Sequence, residues 1–211
     1  MRKRLPPLPS IREVANVYRL QALKQFSQNF LMDMNMCRKI IRTAGRLSGK
    51  QVCEVGPGPG GLTRAILETD VERLVVVEKD RRFLPSLQYL SDASDSRMEI
   101  VHGDIMNVDL ASMFSRDLRR DWFDDPPDLH IIGNLPFNVS TPLAIRWLEA
   151  MSERNGPFWF GRTPLLLTFQ KEVAERMVAP ILGQQRCRLS AMCQYLAHVE
   201  HVFTIPGRYS F

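Results

Sequence analysis

Short apolar runs alternate with longer amphipathic stretches along this chain. "QVCEV" (51–55), "LVVVE" (74–78), "MEIVHGD" (98–104), "LHIIGNLPF" (129–137) and "PLLLTF" (164–169) are brief, and several are rich in β-branched residues, which predicts buried strands. "HVEHVFTI" (198–205) predicts a sixth. Between them, Asp33 can cap a helix through Cys37, Ile40 and Ile41 that stops at Gly45. A second helix is expected from about Leu62 to Glu68, and a third over "RRFLPSLQYL" despite Pro85. A helical segment near 109–120 precedes the acidic loop "DDPPD". Thr141 and Pro142 read as N-cap and first residue of a helix reaching Met151. "QKEVAERMVA" and "RLSAMCQYL" complete the helices.

Strands alternating with helices predict an α/β fold, a mostly parallel sheet with helices on both faces. Ligands of such sheets bind at the carboxyl ends of the strands. Four strands end in polar or glycine-rich tails: "EVGPGPGG", "VEKD", "HGDI" and "GNLPF". Their common placement points to one site.

Gly56, Gly58 and Gly61 match G-x-G-x-x-G, a dinucleotide-loop pattern. Pro57 and Pro59 argue against a dinucleotide, because a pyrophosphate is held by backbone N–H groups and proline has none. A loop that admits a ligand close to its backbone but cradles phosphate poorly suits S-adenosylmethionine, a nucleoside with an amino-acid tail. Glu54 can help receive the ammonium of that tail. Glu78, ending the second strand, can accept from ribose hydroxyls. Asp104 can accept from the adenine amino group, with Ile105 packed beside the ring.

Asn134-Leu135-Pro136-Phe137 follows the fourth strand. The lone pair of an exocyclic adenine amine is delocalised into the ring. Two carbonyls accepting its hydrogens, the Asn134 side chain and the Leu135 backbone, localise that pair on nitrogen. Pro136 fixes the backbone direction, and Phe137 offers a face on which an extruded base can stack.

Charge changes the picture next. Residues 1–50 carry 11 Lys/Arg against 2 acids, a net +9 on a chain whose total is +5. A basic front end on an acidic body predicts a polyanionic partner. Cys37, Cys53, Cys187 and Cys193 form no C-x-x-C pair, so neither a zinc site nor a disulfide framework is expected. No apolar run approaches the length of a membrane span. "MRKRLPPLPS" lacks the apolar core of a secretory signal; it reads as the end of an organellar presequence or as a disordered arm.

Taken together, "KQFSQNFLMD" (24–33), "EVGPGPGGLTR" (54–64), "VVVEKD" (75–80), "VHGDI" (101–105), "IIGNLPFNVSTPL" (131–143), "LTFQKEVAERM" (167–177) and "FTIPG" (203–207) resemble the rRNA adenine N6,N6-dimethyltransferase family. "RLPPLPSIRE" and "DDPPDLHIIGNLPF" point to its mitochondrial branch. The resemblance implies a Rossmann-like class I S-adenosylmethionine-dependent methyltransferase. It assigns cofactor contacts to Gln28, Asn29, Phe30 and Leu31, and to Gly56, Glu78, Lys79, Asp104, Ile105 and Asn134, beside Glu54 and Gly58 of the loop. The implied substrate is a pair of adjacent adenines in the 3′-terminal hairpin of small-subunit rRNA, each methylated twice by direct displacement without a metal. A monomer in the mitochondrial matrix, partnered by the pre-ribosomal small subunit and by no membrane, is expected. Residues 1–32 form a basic arm and cofactor-edge segment, and 33–211 the methyltransferase domain.

Members continue beyond "FTIPG" with a further strand and a helical C-terminal domain, whereas "IPGRYSF" stops. The expectation is a form lacking that last strand and domain, with a retained cofactor pocket and reduced or no rRNA activity. The competing functions are a non-enzymatic RNA-binding or mitochondrial transcription accessory protein and, suggested by the glycine pattern alone, an NAD-dependent oxidoreductase.

Overall fold

A computed structural model describes residues 5–20 and 30–206. Five strands, β1 (Gln51–Val55), β2 (Arg73–Glu78), β3 (Met98–His102), β4 (Leu129–Gly133) and β5 (Leu165–Leu167), form one sheet in the order β3-β2-β1-β4-β5. Every neighbouring pair is parallel. The register sets Glu54 between Val76 and Ile132, and Val55 between Val77 and Gly133.

Side chains of a strand point alternately to its two faces, and here both faces are covered. Val52, Leu74, Val76 and Ile132 join one core with Ile40, Ile41, Leu62, Ile66, Phe83 and Leu87. Cys53, Val55, Val75, Val77 and Ile131 join the other, with Leu143, Trp147, Phe158 and Phe160. Continuous apolar runs without polar alternation are therefore what these central strands require.

The helices are α1 (Ile11–Val17), α2 (Met34–Thr43), α3 (Gly61–Leu67), α4 (Leu84–Asp92), α5 (Phe137–Glu153), α6 (Lys171–Met177) and α7 (Arg188–Leu196). α1 starts with a capping box: the Glu13 N–H donates to Ser10 Oγ, and the Ser10 N–H donates to Glu13 Oε2 at 2.6 Å. Asp33 caps α2 by accepting from the Met36 N–H at 2.8 Å. Leu5 and Leu8, ahead of α1, pack on the first core.

Three sequence expectations need correction. The segment 109–120 is not one helix but two 3-10 turns, Leu110–Met113 and Arg116–Leu118, started by Asp109 and Ser115. Both residues bond the backbone two positions on, which competes with a continuing α-helix. α5 does not begin at Thr141. It begins at Phe137, because the Pro136 carbonyl already accepts from the Val139 and Ser140 N–H groups, leaving Pro142 inside the helix. Residues 198–205 form no strand; Phe203 and Ile205 pack against the first core instead, with the Lys39 ammonium 4.4 Å from the Phe203 ring centroid. An apolar alternation needs a ladder partner to become a strand, and these side chains find the helical layer first.

Candidate functional site

From β1 the chain steps outward to β2 and β3, then returns past β1 to β4. Segments leaving β1 and β4 thus diverge, and a crevice opens above their carboxyl ends. A cleft of about 470 Å³ occupies this position. The loops after β1, β2, β3 and β4 all contribute to it.

Its floor is the glycine loop. The Gly56 N–H donates to Val77 O, the Gly58 N–H to Glu78 Oε2 and the Gly60 N–H to Pro57 O. Pro57 and Pro59 supply no N–H. Residues 56–60 therefore have no backbone donor left for a phosphate, as the prolines predicted. A Cβ at Gly61 would lie 2.4 Å from the Leu31 carbonyl oxygen, so glycine here lets α3 touch the segment carrying Phe30 and Leu31. Both of those side chains line the cleft, and Phe30 meets Phe83 edge to face at 5.4 Å.

Three carboxylates follow in order across the strand ends. Glu54 is 1% exposed, and its Oε2 has no hydrogen-bond partner among the described residues. Burial pushes its pKa up to about 8, Thr63 offsetting only part of the effect. Glu78 accepts from the Gly58 N–H at 3.1 Å and the Asp80 N–H at 2.8 Å, so it pins the loop. Burial raises its pKa too, and the backbone N–H groups of Asp80, Gly58 and Lys79 counteract it in part. Each of its oxygens keeps a second lone pair for a ligand hydroxyl. Asp104 receives the Lys79 ammonium at 2.8 Å and the Met106 N–H at 3.0 Å, which hold its pKa below the usual value. Ile105 lines the wall beside it.

On the opposite wall stand Asn134, Leu135 and Pro136. Leu135 is buried with its side chain against Gly56 and Gly133. The Asn134 carboxamide oxygen accepts from the Thr168 hydroxyl at 2.8 Å. Phe137 does not line the cleft; it is the half-buried first residue of α5. Gln28 and Asn29 lie outside the described residues.

Sequence reasoning passed over Asp80, Arg81, Arg82 and Phe83 at the cleft mouth, and Asn138 and Val139 in the first turn of α5. It also missed Thr168. The rule that singled out four strand ends applies to the fifth, "LLLTF", and would have found it. Among the described residues no group of His, Cys, Asp and Glu is placed to hold a metal ion, and no helix is long and apolar enough to cross a membrane. Cys37 and Cys53 are buried thiols pushed up to about 12.

Comparison with known proteins gives a consistent picture. The family described as ribosomal RNA adenine dimethylase matches residues 19–210. The chain is 60% identical over 205 residues to mitochondrial dimethyladenosine transferase 1 of Homo sapiens, covering 97% of this chain and 59% of that protein. It is 50% identical over 209 residues to the Caenorhabditis elegans protein of that name, covering 97% and 57%. The chain thus spans between 57% and 60% of the length of these curated relatives. Among solved structures, a dimethyladenosine transferase from Plasmodium falciparum is similar with a TM-score of 0.58 and 22% identity, over 78% of this chain and 52% of that one. The 23S rRNA methyltransferase ErmE is similar with a TM-score of 0.50 and 23% identity, over 70% and 50%. These two likenesses show a shared fold, that of class I methyltransferases.

Proposed function

The chain belongs to the ribosomal RNA adenine dimethylase family, and on that premise we propose that it uses S-adenosylmethionine to dimethylate N6 of two adjacent adenines in the 3′-terminal hairpin of mitochondrial small-subunit rRNA. The names of its relatives are mitochondrial, which supports a mitochondrial location; the matrix and the pre-ribosomal small subunit are part of this proposal. One observation carries the reading. A buried carboxylate with an unpartnered oxygen, a loop with no phosphate donors, two further carboxylates and an Asn-Leu-Pro turn share a single cleft.

These groups suit the cofactor in sequence. Glu54 faces the ammonium of the amino-acid tail, and Gly56 and Gly58 let the ligand approach the backbone. Glu78 takes the ribose hydroxyls on its remaining lone pairs. Asp104 accepts from the adenine amino group, Ile105 packs on the ring, Lys79 holds Asp104, and Phe30 and Leu31 close the near edge; the family resemblance adds Gln28 and Asn29 as cofactor contacts. Bound there, the cofactor supplies a sulfonium methyl, so that the N6 lone pair of the target forms a new N–C bond as the S–C bond breaks with its pair on sulfur.

The protein's share is alignment and electrostatics. Asn134 Oδ1 and the Leu135 carbonyl accept the amine hydrogens and localise its lone pair toward the methyl. Pro136 fixes their direction, and Phe137, next to the cleft, supplies the stacking face. The target base must leave its helix to reach them. The surplus proton departs to water.

The test is methyl transfer by the full chain to a hairpin RNA with two adjacent adenines, using cofactor labelled in its methyl group. N6,N6-dimethyladenosine at both positions is the expected product. RNA that binds without gaining label overturns the reading. That outcome would favour the alternative of a non-enzymatic RNA-binding or mitochondrial transcription accessory protein, which the basic residues of 1–50 support equally.

A further inference from the structure

Thr168 stands one residue past β5, beside the reacting turn but not in the cleft wall. Its N–H donates to Gly133 O at 3.1 Å, continuing the parallel ladder from the Gly133–Leu167 pair. This places its side chain against Asn134, and the hydroxyl donates to Oδ1 at 2.8 Å. A carboxamide oxygen has two lone pairs. With one taken by Thr168, the other has a set direction.

That constraint weighs differently on the two transfers. An unmethylated adenine amine has two hydrogens and can engage both the Asn134 and Leu135 carbonyls. After one methylation a single N–H remains. The second transfer is then aligned by one acceptor where the first had two, so an error in the carboxamide's direction is no longer corrected by the second bond. The Leu135 carbonyl is fixed by the backbone, whereas the Asn134 carboxamide can turn about its own side-chain bonds, and the Thr168 hydroxyl is a contact that holds its oxygen.

Building on the methyltransferase reading above, we propose that Thr168 is a positioning residue for the second methyl transfer, its hydroxyl holding the Asn134 carboxamide and so setting the ratio of dimethylated to monomethylated adenine. The bond made and the bond broken are the same at each step; only the number of amine hydrogens differs.

The experiment compares the wild-type chain with Thr168→Val and Thr168→Ser on the adjacent-adenine hairpin. N6-methyladenosine and N6,N6-dimethyladenosine are followed over time by mass spectrometry, and cofactor affinity by calorimetry. Thr168→Val keeps the shape and loses the donor. It is expected to slow the second step relative to the first by roughly tenfold, about the worth of one neutral hydrogen bond. Monomethyladenosine accumulates, cofactor affinity stays at the wild-type value, and Thr168→Ser restores the dimethylated product. A wild-type product ratio in Thr168→Val overturns the proposal. So does equal slowing of both steps together with lost cofactor affinity, which marks a merely structural residue. A wild type that methylates no adenine at all defeats the underlying reading, and this inference with it.

Discussion

Glu54 is the residue at which fold and function conflict most directly. A carboxylate in the middle strand of a fully covered sheet is desolvated on every side, and its pKa of about 8 leaves it mostly protonated at neutral pH. A ligand ammonium placed against Oε2 favours the ionised form. Binding of S-adenosylmethionine at pH 7 should then release about one proton per site. Affinity should rise with pH toward 8, over the range in which the ligand amine keeps its proton. Calorimetry in buffers of different ionisation enthalpy measures the released proton directly, and Glu54→Gln should abolish it while weakening binding. The same shift acts on stability: between 4.5 and 8 the native state holds a proton that the unfolded chain has lost, so Glu54 makes the unliganded protein less stable as pH rises through that window. His130 has the opposite sign. Burial and the nearby Lys50 lower its pKa to about 4 from 6.5, so the unfolded chain binds the extra proton and stability falls as pH drops from 6.5 to 4. Urea midpoints against pH should lose their alkaline limb in Glu54→Gln and their acid limb in His130→Gln. Asn134 is tested by chemistry instead. Asn134→Ala should lower kcat by roughly 10²–10³-fold, the scale seen when one oriented polar group is removed from a reacting centre, while calorimetry finds most of the cofactor affinity intact.

Elements place these residues by close approach. α3 can lie against the Leu31 backbone only because position 61 has no Cβ. Gly61→Ala should push the two apart, destabilising by about 1–3 kcal/mol as overpacking does. Because Leu31 and Phe30 form the cleft edge, cofactor affinity should fall further than stability alone explains; thermal unfolding with and without ligand separates the two effects. The central strands and α2, α3 and α4 were legible because local signals and burial agree there: unbroken apolar runs, Asp33 as cap and a glycine turn. Legibility failed where two local rules competed. Thr141-Pro142 is a good helix start in isolation, but the Pro136 carbonyl had already begun α5 one turn earlier. "HVEHVFTI" alternates like a strand, yet no ladder in the described sheet receives it. In the cleft, the residues at the strand ends were legible, whereas Asp80 to Phe83 and the first turn of α5, which lie beyond those ends, were not. Thr168 lay within reach of the strand-end rule, one residue past β5, but its partner Asn134 is 34 positions away, a contact that no spacing rule contains.

At the scale of the molecule, charge among the described residues is distributed differently from its distribution along the chain. The excess of basic residues in 1–50 suggested that this segment meets RNA. In the fold, Arg38 pairs with Glu68 at 2.7 Å, Lys50 lies 3.9 Å from Asp128, and Lys39 covers Phe203. Arg42 and Arg46 are exposed, but they follow the middle of α2 toward the amino end of β1, the edge of the sheet away from the cleft. Among the described residues, the cations at the cleft mouth come from the turn after β2: Lys79 on Asp104, Arg82 on Asp80, and exposed Arg81 between them. On the proposed function, a single-stranded RNA whose base enters the cleft would bring its phosphates to this turn. Each phosphate neutralised adds roughly 0.7 to the steepness with which log affinity falls against log salt. Arg81→Ala should therefore weaken hairpin binding and reduce that slope by about one contact's worth, with cofactor affinity unchanged. Arg42→Ala, at the far edge, should leave the slope where it was. Fluorescence anisotropy across a salt series decides between them: equal slopes in Arg81→Ala and wild type, with a reduced slope in Arg42→Ala, would mean that RNA lies along the other end of the sheet and reaches the cleft by a different route.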